Sequence, residues 1–453
     1  MRHALVVTTS TAVPTRRIHP AWWVAGVTFL ALVGAAAFRA VPGVLIDPLH
    51  AEFGWSVSTI SAAIALNMAL YGLTAPFAAA LMERFGIRRV VVVALLITAT
   101  GSGLTVFMTA SWQLVLLWGL LVGLGTGSMA LSLVATVSGR WFVARRGLVS
   151  GILTAGGAAG QLVFLPLVAW ADGRWGWRAA SLATTVAALA VVPLVVWLLR
   201  DRPRDVGAVP YGGTAADDVE PVRSGAARTA LRGLAHAART RVFWVLAVSF
   251  MICGASTNGL VQPHFIPSAH DHGMPVTTAA GLLAVVGIFD IAGTIFSGWL
   301  TDRFDPRLLL LTYYLFRGLS LFLLPSLFAP GVHLSMVAFI VFYGLDWVAT
   351  VPPTLALCRQ FFRARAPVVF GWVFASHQIG SAIAAFGGGV VRDLTGSYTP
   401  AWYGAGLLCL FASALSITLR RPTAEPVVAP AAGQSSSASR SAARAAPSVS
   451  TGR

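Results

Sequence analysis

The 453-residue chain contains no lysine; its 32 basic residues are all arginine. Charge of either sign is scarce, at 11% of residues, where soluble globular proteins carry about 25%. A surface facing water on all sides cannot be covered with so little. The missing lysine also excludes a phosphate-binding loop of the form GxxxxGK[ST], so direct drive by ATP is not expected. Cysteine is rare: Cys253, Cys358 and Cys409 lie in or beside apolar segments without CxxC spacing, which reads as small core residues rather than a redox pair. His270, Asp271 and His272 are adjacent but lack a fourth ligand, so no metal site is read there. No paired acids or nucleophile motif stands in a loop. Neither an enzyme nor a cofactor is expected.

What the chain has in abundance is apolar sequence. Hydrophobic residues make up 57% and the mean hydropathy is +0.76. The apolar runs are each close to the ~20 residues that cross a bilayer core. They predict twelve spans, at about 22–46, 57–81, 88–110, 112–137, 147–170, 178–200, 241–267, 276–300, 307–328, 331–356, 366–391 and 399–419. The fold class read from them is an all-α membrane protein, with twelve transmembrane helices in two pseudo-symmetric six-helix bundles. Residues 1–20 form a cytoplasmic start, 21–200 the first bundle, 201–240 a cytoplasmic linker, 241–420 the second bundle and 421–453 a disordered tail of Ala, Ser, Pro and Arg. Within the linker, RTALRGLAHAARTR (228–241) has the spacing of an amphipathic helix.

The net charge of +16 is topological. With the N-terminus inside, only Arg174, Arg178 and Arg392 fall in outer loops, which is the positive-inside pattern. The expected partner of this charge is anionic lipid, not nucleic acid. The expected setting is a bacterial plasma membrane, with the chain passing through it many times as a monomer.

The two halves repeat. ALMERFGIRR (Glu83, Arg84, Arg88) after the second span is echoed by GWLTDRFDPR (Asp302, Arg303, Arg307) after the eighth. RWFVARRGLVSGILTAGGAAG aligns with QFFRARAPVVFGWVFASHQIG at an offset of 220, pairing Phe142 with Phe362 and Arg145 with Arg365. A membrane chain of tandem halves points to a carrier with its site between them.

The repeated loop resembles the Gly-x-x-x-Asp-Arg-x-Gly-Arg pattern of the major facilitator superfamily. Ala79 stands for the first glycine, Glu83 for the acid, and Asp305 for the glycine of the second copy. The resemblance covers residues 22–420 and implies secondary transport by alternating access. It also implies that Glu83, Arg84, Arg88, Asp302, Arg303 and Arg307 hold one access state by pairing with helix ends. PGVLIDPLHAEFGWS, the RWFVARRG segment and GIFDIAGTIFSGWLTDRF further resemble the monocarboxylate porters and oxalate–formate-type antiporters. This implies a small carboxylate, a monocarboxylate or dicarboxylate, moved with protons or by exchange. Thr294 stands where those porters carry a basic residue. Efflux of hydrophobic drugs or metabolites is the alternative.

Ionisable residues inside spans are costly and default to functional candidates. Arg39, Asp290, Arg317 and Asp346 sum to zero charge, as expected of groups that pair. Arg39 is read as the carboxylate anchor, its guanidinium offering a planar fork. Asp290 and Asp346 are read as the proton-coupling acids: burial favours the neutral form of an acid and a neighbouring arginine the charged one. Arg317 either completes the substrate site or clamps an acid, Asp290 or Asp346. His377, Gln378 and Trp347 complete the candidate substrate contacts, each with packing as its bland alternative. Pro352 and Pro353 are expected to kink or break the tenth span.

Overall fold

The structure, a computed structural model, describes residues 18–218 and 226–419. The start up to residue 17 and the tail expected over 421–453 lie outside the described residues. Among the described residues, eleven helical segments are long and apolar enough to cross a membrane. The 18-residue helix Thr399–Ser416 completes twelve. No strand is present among them; a lone bridge joins Phe142 to Tyr211.

The spans pair in a pattern that repeats after six. Span one (Pro20–Ala40) packs on span five (Arg146–Trp175), as span seven (Arg241–Asp271) packs on span eleven (Ala366–Thr395). Span three (Ile87–Leu104) packs on span six (Trp177–Leu198), as span nine (Pro306–Leu327) packs on span twelve. Span two (Val57–Phe85) lies along span eleven, and span eight (Val276–Thr301) along span five. These last two pairs join the halves, and small residues allow the approach. A Cβ added at Gly389 would meet Ser61 Oγ at 2.6 Å and Ser58 Cα at 2.9 Å.

Proline sets two departures from straight helices. The first span was expected to reach residue 46 but ends at Ala40, and a separate outer helix runs Pro42–Phe53. Pro42 lacks the N–H that would continue the ladder. The tenth span stops at Asp346, passes through a turn at 347–350, and resumes as Val351–Phe362 with proline in its first turn. Proline is tolerated there because the first N–H groups of a helix have no partner within it.

The inner loops explain one of the motif's substitutions and the retained glycine of the first copy. Asp305, in the place of a glycine, caps span nine by accepting from Arg307 N at 3.0 Å. The Arg307 guanidinium pairs with the same carboxylate at 2.5 Å and donates to Leu419 O, beyond span twelve, at 2.6 Å. In the first copy, Asp201, beyond span six, accepts from Arg88 N at 2.8 Å. Its carboxylate oxygen lies 2.5 Å from where a Cβ of Gly86 would sit, and Gly86 has φ +89°. Gly86→Ala is therefore expected to destabilise this corner by about 1–3 kcal/mol. The check is the thermal midpoint of the purified protein, and an unchanged midpoint would remove that role from Gly86.

Candidate functional site

A narrow cavity lies between the halves. Phe38 and Pro42 of the first half's opening helices line it, with Asn67 and Tyr71 of span two. Asn258 and Gln262 of span seven and Gln378 of span eleven face them. The helix of span seven loosens into a π-type run over Ala255–Val261, a feature frequent at functional sites, and this places Asn258 and Gln262 at the wall. Asn67 is anchored by donating to Trp118 O at 2.8 Å. The described lining is thus made of amides, a phenol and apolar groups.

The outer end of the cavity is sealed by contacts across the halves. Asp47 pairs with His270 at 2.9 Å. Asp393, near the end of span eleven, accepts from Val57 N at 3.0 Å and Ser58 N at 2.8 Å, capping the start of span two. A Cβ on Gly43 would sit 2.9 Å from Gln262 O.

The intramembrane charges converge on the break in span ten. Arg317 is wholly buried, and its Nε donates to Asp346 Oδ2 at 2.6 Å. Its Nη2 donates to the carbonyls of Asp346 and Trp347, and its Nη1 to Cys253 Sγ at 3.0 Å. Asp290 takes the opposite role: its Oδ1 accepts from Val348 N and from Thr294 Oγ1, both at 3.2 Å. Ser297 Oγ donates to Ala349 O. A broken helix leaves carbonyls at one end and amides at the other without partners. Here the cation meets the carbonyl end and an anion meets an amide, the arrangement that helix dipoles favour. Thr294, where a basic residue was missed, supports Asp290 instead.

Of the residues singled out in the sequence, the structure brings Asp290, Arg317, Asp346 and the Trp347 backbone into this cluster. The Trp347 ring turns onto Tyr343 at 5.7 Å. Gln378 reaches the cavity wall, whereas His377 turns into the second half between Phe250 and Phe374, at 4.8 and 5.8 Å. Among the described residues, Asp346 Oδ1 and His377 Nδ1 have no hydrogen-bond partner. Arg39 stands beside Phe38 near the end of the first helix; its side chain lies outside the described residues. Of the loop residues, Glu83 and Arg84 are exposed, Arg303 stacks on Trp299 at 4.1 Å, and Asp302 closes span eight. Asn67 and Tyr71 were not singled out; each is an uncharged polar group in an apolar run, and that was the available signal.

Comparison with known proteins gives a consistent picture. The family model described as Major Facilitator Superfamily matches residues 28–384 and 257–450. An uncharacterized MFS-type transporter, YcxA, of Bacillus subtilis is 25% identical over 386 residues, covering 83% of this chain and 90% of the relative. Monocarboxylate transporter 13 of Bos taurus is 29% identical over 400 residues, covering 85% and 87%. The solved xylose transporter XylE of E. coli, in a partially occluded inward-open conformation, superposes with a TM-score of 0.66 at 14% identity. That match covers 89% of this chain and all of XylE, and it shows the fold alone.

Proposed function

The chain belongs to the Major Facilitator Superfamily, and from that premise we propose that this multi-pass transporter moves a small organic anion, a monocarboxylate or dicarboxylate, with protons or by exchange. The observation that carries the reading is the single arginine of the first helix: Arg39 is its only basic residue, and it stands between the cavity-lining positions 38 and 42. A guanidinium there stays charged and offers two parallel donors to a carboxylate. The likeness to a relative named as a monocarboxylate transporter supports the same substrate class. Gln378 and the amides of span seven then hydrogen-bond the rest of the substrate. Asp290 and Asp346 hold and release the coupled proton at the broken helix, so that protonation and the backbone of span ten are linked. Glu83, Arg84, Arg88, Asp302, Arg303 and Arg307 steady the inner ends between access states. The setting we propose is a bacterial plasma membrane, with a monomer as the working unit.

The rival reading, efflux of hydrophobic drugs or metabolites, draws on the same cavity, where Phe38, Met68 and Tyr71 supply aromatic and apolar wall. Counterflow in proteoliposomes separates the two. Preloaded unlabelled carboxylates are expected to draw in labelled mono- or dicarboxylate, and lipophilic cations to leave that signal unchanged. Competition by the cations, with no carboxylate counterflow, would favour efflux. Asp290→Asn is expected to keep counterflow while losing accumulation driven by an inward proton gradient. Retention of both would remove Asp290 from coupling.

A further inference from the structure

We propose that the linker helix Ala226–Ala237, with the turn between spans ten and eleven, forms a binding surface for the phosphate headgroups of anionic phospholipids in the inner leaflet. The helix is seated rather than free. Gly233 and Ala237 are buried, and a Cβ on Gly233 would meet Val368 of span eleven at 2.5 Å. Trp372 Nε1 donates to Ala230 O at 2.9 Å, and Trp244 Nε1 to Ala238 O at 2.8 Å. Indoles gather at the headgroup level of membranes, and the indoles of spans seven and eleven that bond the linker segment fit a helix lying at that level. Trp244 and Leu231 are 55% and 52% exposed. Exposed apolar groups beside arginine suit a helix lying in the interface and not one facing bulk water.

The face opposite the seat carries Arg228 and Arg232, one turn apart and both exposed. Arg365, also exposed, begins span eleven one turn before Val368. No aspartate or glutamate occurs in residues 226–241 or 351–371. The other inner corners differ. Arg88 and Arg140 of the first half are accompanied by Glu83, Asp201 and Asp218, and Arg307 pairs with Asp305. The linker corner therefore holds arginines with no acid in its own segments. Guanidinium and phosphate match as paired donors and acceptors.

The test uses the full chain in mixed micelles holding equal amounts of phosphatidylglycerol and phosphatidylcholine, with retained lipid counted by native mass spectrometry. The wild type is expected to retain phosphatidylglycerol in preference. Near an anionic surface each arginine contributes roughly fivefold, so R228Q/R232Q/R365Q should weaken retention on the order of 100-fold, and R88Q/R140Q, whose arginines are accompanied by acids, by about twofold at most. Equal retention by the triple variant overturns the proposal. So does a wild type without headgroup preference, or displacement of the lipid by an equal concentration of inorganic phosphate.

Discussion

Arg317→Gln is expected to cost about 3–5 kcal/mol of stability, because it breaks a buried ion pair from one side. The guanidinium has no exposed surface, and it donates to one oxygen of the Asp346 carboxylate and to two carbonyls left open where span ten breaks. Glutamine would leave the Asp346 carboxyl without its cation, either charged among apolar neighbours or neutralised by taking up a proton, and each carries a cost. The double variant R317M/D346L is expected to recover much of the loss, since it removes both charges together and replaces them with volume. Thermal unfolding of detergent-purified protein is the check. A single variant that melts with the wild type would show that the pair does not hold the helix break. A double variant no better than the single would place the cost in the carbonyls of 346 and 347 rather than in the charge.

The second large effect is on transport. Arg39→Gln is expected to reduce carboxylate uptake by about 100-fold or more, the scale of truncating one partner of a desolvated charge pair. Arg39→Lys keeps the charge and loses the fork, so partial activity is expected. Both variants should melt near the wild type. A variant that fails to fold would be distinguished by its midpoint, and the lysine variant then separates charge from shape.

The number of spans, their order and the pseudo-symmetry were legible in the sequence because a bilayer demands long apolar runs and the repeat lies in motifs. Of the two proline effects, one was legible. Pro352 and Pro353 announced a break in span ten, while Pro42 was read through. Partner choice was not legible. Arg317 had two candidate acids, and the sequence period assigns a face to each helix without saying how neighbouring helices are rotated. The structure pairs Arg317 with Asp346 and gives Asp290 to Thr294 and Val348. The same rotation separates adjacent His377 and Gln378, which point about 100° apart on one helix: one packs on Phe250 and the other lines the cavity. Asn67 and Tyr71 were not legible because a lone uncharged polar group in an apolar run carries no sign of which way its helix face turns. Thr294 was visible only as an absence. Its hydroxyl donates to Asp290 one turn earlier on the same helix.

The most direct test of the central claim is uptake of labelled mono- and dicarboxylates into proteoliposomes with an inward proton gradient, for the wild type beside Arg39→Gln. The account predicts gradient-driven or counter-anion-driven uptake of at least one carboxylate by the wild type, lost in the folded variant. Folded wild-type protein that moves no carboxylate in either mode, or an Arg39→Gln variant that transports as well as the wild type, would contradict it.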